Sequence, residues 1–106
     1  MKTTEPAGQD VCCSHVPGGG GDALKRFSDF LGSAMAPGAL DVVTKEHIAI
    51  ALGLAVHCVP CTRMHLKKAK NMGITAQELE EVAALAIAFG GCRALMLWNE
   101  LKKELF

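Results

Sequence analysis

The sequence predicts an all-α domain. Three observations carry this. Half of the 106 residues are apolar and none is Tyr, and an Ala- and Leu-rich, Tyr-free composition suits packed helices better than pleated sheets. No segment alternates apolar and polar residues with the period of two that a half-buried strand requires. Apolar residues at the helical period instead recur in segments bounded by capping residues, Gly and Pro. The length gives one domain with a modest core. A formal net charge of zero argues against a nucleic-acid binder or a polybasic membrane binder.

Residues 1–22 are polar, rich in Gly and Pro, and end in Gly18 to Gly21. They read as a flexible N-terminal segment, with the helical domain at 23–106. This segment carries Cys12, Cys13 and His15, either incidental in a tail or poised for exchange with other thiols or a soft metal. An adjacent Cys-Cys disulfide is strained, so Cys12 is not expected to bond Cys13. Asp22 is the expected cap of a first helix, Ala23 to about Met35, whose apolar positions Leu24, Phe27, Phe30 and Leu31 keep the helical period. Ala36-Pro37-Gly38 ends it.

A second helix is expected from Val42 or Thr44 to His57, with Thr44 as a cap. From Ile48 to Val56 it is apolar all round, so it should be surrounded on every side, by another subunit as well as by its own domain. Gly53 inside it suggests close backbone approach. A third helix, about Pro60 to Asn71, stops at Gly73 and turns Arg63, Lys67 and Lys70 outward. Thr75-Ala-Gln-Glu78 is a capping box that opens a fourth helix, Ala76 to about Phe89. Gly90-Gly91 separates it from a fifth, about Cys92 to Leu105. These glycines interrupt the apolar run Val82 to Trp98, which is therefore too short to span a membrane. Cys92 reads as a small buried hydrophobe, and Arg93 as a charge that needs a partner.

The chemistry concentrates in Cys58-Val-Pro-Cys61-Thr-Arg-Met-His65, with Glu46 twelve residues before its first cysteine. Two thiols three apart can close a disulfide, and a histidine four residues past the second faces it across one helical turn. At 100° per residue Cys58, Cys61 and His65 lie within an arc of about 60°. Pro60 belongs in a first turn, so the third helix should start between Cys58 and Pro60. Free N–H groups there, or a cationic His65, stabilise a thiolate. Glu46, Ile50, Gly53 and His57 share one face of the second helix. Glu46 is either a favourable charge at a helix N-terminus or an acid aimed at the thiols. The same spacing makes Cys58, Cys61 and His65 three ligands of a partial zinc site. The odd number of cysteines is unlike a secreted disulfide framework, and no signal peptide opens the chain, so a cytoplasmic location is expected.

Lys45-Glu46, the Ala-rich helix, Cys58-x-x-Cys61-x-x-x-His65, Gly73 and the Thr75-x-x-Glu78 helix together resemble the carboxymuconolactone decarboxylase superfamily. The cysteine pair points within it to the alkylhydroperoxidase D-like branch. The resemblance covers about Leu24 to Trp98 and implies an all-α domain assembling as homotrimers or homohexamers. It implies a thiol-dependent peroxidase or disulfide oxidoreductase that uses no cofactor, takes a small-molecule peroxide, and is recharged by a dithiol or a protein reductant. Cys61 would attack the peroxide, Cys58 would close the disulfide, and Glu46 and His65 would relay the proton. The branch often has a histidine just before the second cysteine, where this chain has Pro60. Helix position by itself favours Cys58 as the acidic thiol, whereas His65 favours Cys61. Two other functions stay open: a lactone-decarboxylating lyase of the wider superfamily, which needs no cysteine pair, and a non-enzymatic metal-binding or thiol-sensing module.

Overall fold

The computed structural model describes residues 21–106. They form five helices and, among the described residues, no strand: α1 (Gly21–Met35), α2 (Val42–Ala55), α3 (Val59–Asn71), α4 (Ala76–Gly90) and α5 (Cys92–Leu105). The expected segment 1–22, with Cys12, Cys13 and His15, lies almost wholly outside the described residues.

Local chemistry sets each start. Asp41, and not Thr44, is the N-cap of α2: its carboxylate accepts the Thr44 N–H at 2.8 Å. That bond holds the Asp41 carboxyl below its usual range. Thr75 caps α4 through the Glu78 N–H at 3.1 Å, the expected half of a capping box. Asp22 caps nothing. It lies in the first turn of α1 and pairs with Arg26 at 3.0 Å. The Lys45 ammonium in the first turn of α2 donates to the carbonyl of Ala34 at 2.9 Å, which ties the end of α1 to α2.

α2 is the centre of the bundle and packs on α3, α4 and α5, with α1 laid against it. Its inward residues Ile50 and Leu54 meet Leu66 of α3, Leu79 of α4, and Leu97 and Leu101 of α5 in one buried core. Two glycines allow this closeness. A Cβ on Gly53 would stand 2.6 Å from Thr62 Oγ1 of α3, and one on Gly90 would stand 2.9 Å from the Ala55 Cα. Both distances are below van der Waals contact. α3 and α5 are joined at their ends by the Arg63–Glu104 ion pair at 2.8 Å and by Lys70 Nζ donating to the Leu105 carbonyl at 2.9 Å.

Three expectations need correcting. α2 ends at Ala55 and does not reach His57. Cys92 is exposed, and Arg93 is also exposed. Both follow Gly91, whose φ of 73° turns the chain so that α5 buries Ala94, Leu97, Trp98 and Leu101 instead. The apolar α2 was expected to be covered by another subunit as well as by its own domain, and Leu52 and Val56, 59% and 69% exposed in the single chain, are the side left for that contact. No helix among the described residues is long and apolar enough to cross a membrane.

Candidate functional site

The joint between α2 and α3 builds the site. After Ala55 the chain stops the helix with two bonds: Cys58 N–H to the Gly53 carbonyl at 2.9 Å, and His57 N–H to the Leu54 carbonyl at 3.1 Å. This is a Schellman stop, and it needs a left-handed residue at the position after the C-cap. His57 takes that position with φ 61°. The next residue, Cys58, is at once the last member of this stop and the N-cap of α3. Its Sγ accepts the Cys61 N–H at 3.3 Å. Pro60 lies in the first turn, where its missing N–H costs nothing.

Cys58 and Cys61 are joined in a disulfide, with their Cα atoms 5.3 Å apart. Cys58 lies outside α3, so the shared arc expected of a continuous helix does not hold for it. It nonetheless lines the same cavity as Cys61 and His65. That cavity measures about 330 Å³ and is otherwise walled by apolar side chains, among them Phe27 and Leu31 of α1 and Leu52 and Val56 of α2. The sulfurs therefore face an apolar, partly open pocket between α1 and α2.

Behind the sulfurs lies a buried polar chain. Glu46 is fully buried, and its Oε1 stands 2.6 Å from His65 Nδ1. Its Oε2 has no hydrogen-bond partner. The ammonium of Lys68 stands 3.4 Å away, close enough to offset charge but too far for a well-made hydrogen bond. A carboxylate so deep requires cationic or hydrogen-bonding neighbours, and the facing turns of α3 supply both. Thr62, also fully buried, donates its hydroxyl to the Cys58 carbonyl at 2.7 Å and fixes the first turn of α3 against Gly53.

The four residues singled out from sequence thus come together: Glu46 from α2, Cys58 from the joint, and Cys61 and His65 from α3. Sequence reasoning missed Thr62 and Lys68. Lys68 lies three residues past His65, on the same helical face, so the spacing signal was present. It was passed over beside Arg63, Lys67 and Lys70, the basic residues read as an outward face. His57 lines none of this cavity. Among the described residues no group of three or more His, Cys, Asp and Glu is arranged to hold a metal ion. In the disulfide form neither sulfur is a thiolate, the form that binds zinc.

Comparison with known proteins agrees with the motif. The carboxymuconolactone decarboxylase family profile matches residues 21–102. The chain belongs to that family. A protein of Cupriavidus necator described only as uncharacterised is 33% identical over 69 residues, which are 65% of this chain and 61% of that protein. The chain thus spans about three-fifths of the length of the curated relative it matches. No solved structure matches the chain. The family match takes in all four site residues and nearly all of the helical bundle, and it leaves the Cys12-Cys13 segment outside.

Proposed function

We propose that this protein is a thiol-dependent peroxidase of the alkylhydroperoxidase D-like branch, cycling Cys58 and Cys61 between dithiol and disulfide. The observation that carries this reading is the Cys58–Cys61 disulfide opening on an apolar cavity beside His65, whose ring is held by the buried Glu46. A lyase of the same family has no use for such a pair.

In the reduced protein, Glu46 accepts the Nδ1–H of His65 and leaves Nε2 as the basic nitrogen of the ring. Nε2, directly or through a water, takes the proton of the Cys61 thiol. The thiolate attacks one peroxide oxygen, the O–O bond breaks, and the alkoxide leaves as an alcohol after taking that proton back. Cys61 is now a sulfenic acid. The Cys58 thiolate attacks its sulfur, the S–S bond forms, and the hydroxyl leaves as water. An outside dithiol restores both thiols. The Lys68 ammonium stands 3.4 Å from Glu46 Oε2, on the carboxylate whose other oxygen holds His65. The cycle suits a reducing compartment such as the cytoplasm. The exposed Leu52 and Val56 of α2 and the 88% exposed Phe89 of α4 give a homotrimer or homohexamer apolar surface to cover.

The test is turnover. With an organic peroxide and a dithiol donor, the protein is expected to consume one donor per peroxide, and Cys58→Ser and Cys61→Ser to abolish the cycle. Donor consumption that ignores both substitutions would remove the proposal.

A further inference from the structure

We propose that the groove between α1 and α2 holds a free fatty acid bearing a mid-chain hydroperoxide, with its carboxylate on Lys45 and its peroxide at the Cys58–Cys61 pair. The inference rests on the peroxidase reading of that pair and names the substrate class of its site.

Three observations lead there. The first is a second cavity. It measures about 270 Å³ and shares Ala34, Met35, Ala49 and Leu52 with the cavity at the sulfurs. The two are neighbouring stretches of one groove along α1 and α2, and together they have the size of a small-molecule site. The second is charge. The far stretch ends at Leu40, Ile48 and Lys45, and no Asp or Glu lines either cavity. Lys45 Nζ donates to the carbonyls of Ala34, at 2.9 Å, and Ala36. An ammonium has three N–H donors, so two carbonyls leave a third donor and a full positive charge. A carboxylate answers both, while the apolar wall between Lys45 and the sulfurs takes an uncharged chain.

The third is length. Lys45 and Gly53 lie eight residues apart on α2, and Gly53 lines the cavity at the sulfurs. That separation is about 12 Å along the helix axis. C–C bonds of about 1.5 Å meeting at about 111° advance about 1.25 Å per carbon, so roughly ten carbons cover it. A long fatty acid oxidised near the middle of its chain has this spacing between carboxylate and peroxide. A short alkyl peroxide cannot touch both ends, and an acyl chain esterified in a membrane lipid has no carboxylate for Lys45. A second copy seated over Leu52 would add the outer wall of the groove.

The reaction is that of the proposed cycle. The O–O bond breaks, and the fatty acid keeps one oxygen as an alcohol. The other oxygen leaves as water when the disulfide closes, and the dithiol supplies both electrons. Lys45 meets only the remote carboxylate, so its contribution is to binding and alignment.

Steady-state kinetics of the full chain test this with a hydroperoxide of linoleic acid and with its methyl ester. The free acid is expected to react with a kcat/KM about tenfold above that of the ester, through a lower KM. In Lys45→Met the two should become equal, and Lys45→Arg should keep most of the preference. Dodecanoate, which carries no peroxide, should bind the oxidised protein in a calorimeter, about tenfold more weakly in Lys45→Met. The acid-to-ester ratio of the parent needs no variant, so the test stands even where Lys45→Met loosens α1. Equal kcat/KM for acid and ester in the parent, a preference that survives Lys45→Met, or no heat with dodecanoate each overturns the proposal. Turnover of tert-butyl hydroperoxide without the acid preference removes this proposal and leaves the peroxidase reading in place. A protein that binds dodecanoate yet turns over no peroxide would instead remove the peroxidase reading, with the fatty-acid site standing.

Discussion

Two helices of this fold stop with the same hydrogen bonds and different residues. α3 ends with Ile74 N–H on the Ala69 carbonyl at 3.0 Å and Gly73 N–H on the Lys70 carbonyl at 3.2 Å, with Gly73 at φ 83°. α2 ends with the same pair of bonds, but His57 occupies the left-handed position. A glycine adopts that conformation freely, whereas a histidine loses about 1–2 kcal/mol there. After the stop of α3 come a buried Ile74 and a threonine cap, the means by which an ordinary joint is stabilised. After the stop of α2 comes a cysteine that serves as cap, a role sulfur fills poorly. The joint at the sulfurs uses residues that stability alone does not favour. Local departures of this kind gather where a chain carries chemistry.

The comparison can be broken most severely at the polar chain behind the first joint. Glu46→Gln removes the charge that orients His65, and turnover should fall about 10²-fold or more while the helical circular dichroism is kept. Lys68→Met should lower it by a smaller factor, with Lys68→Arg restoring most of the loss. A Glu46→Gln protein with parental turnover would separate the buried acid from the chemistry.

Packing comes next. Gly53→Ala drives a methyl to 2.6 Å from Thr62 Oγ1 and should cost about 1–3 kcal/mol, read as a drop in Tm. Gly90→Ala meets backbone instead of a side chain and should cost at least as much. The stops themselves should then respond with opposite signs. His57→Gly should stabilise by up to about 1 kcal/mol, and Gly73→Ala should destabilise by about the same. Gly73 has open space around its Cα, so only its backbone angle is at stake. Equal signs would show that the two stops are not equivalent.

The smallest effect lies at the surface clasp between α3 and α5. Arg63 holds the Glu104 carboxyl below its usual range by hydrogen bond and charge, and Lys102 does the same for Glu80. A depressed carboxyl contributes stability that is present above the unfolded pKa and lost as pH falls through the folded one. Denaturation midpoints should therefore slip modestly below about pH 4, and less so at high salt. Arg63→Met should remove part of that slope.

The same contrast explains what could be read from sequence. Gly73, Thr75 and Gly90-Gly91 are residues whose backbone preferences announce a boundary, and the starts and ends they imply are the ones observed. His57 announces nothing, so α2 was expected to run through it. Asp41 and Thr44 are both good caps, and only the observed bond chooses between them. The site motif was legible because its spacing is local and each residue has a distinctive chemistry. The meeting of Glu46 with His65 depends on two helices packing at Gly53 and Thr62, which is tertiary information. Lys68 was overlooked because charge on a helix surface is ordinary, and only the depth of Glu46 makes this lysine different. Cys92 was expected inside because cysteine usually is; the turn at Gly91 set the face of α5 instead.

In the proposed cycle Cys61, backed by His65 and Glu46, is the sulfur that meets the peroxide. The most direct measurement is mass spectrometry of the Cys58→Ser protein after one equivalent of an organic peroxide with a sulfenic-acid trap present. The expected result is the trap on Cys61, and its loss when Glu46→Gln is added. A trap on the lone Cys58 of the Cys61→Ser protein, with none on Cys61 in Cys58→Ser, would contradict it and reverse the two roles.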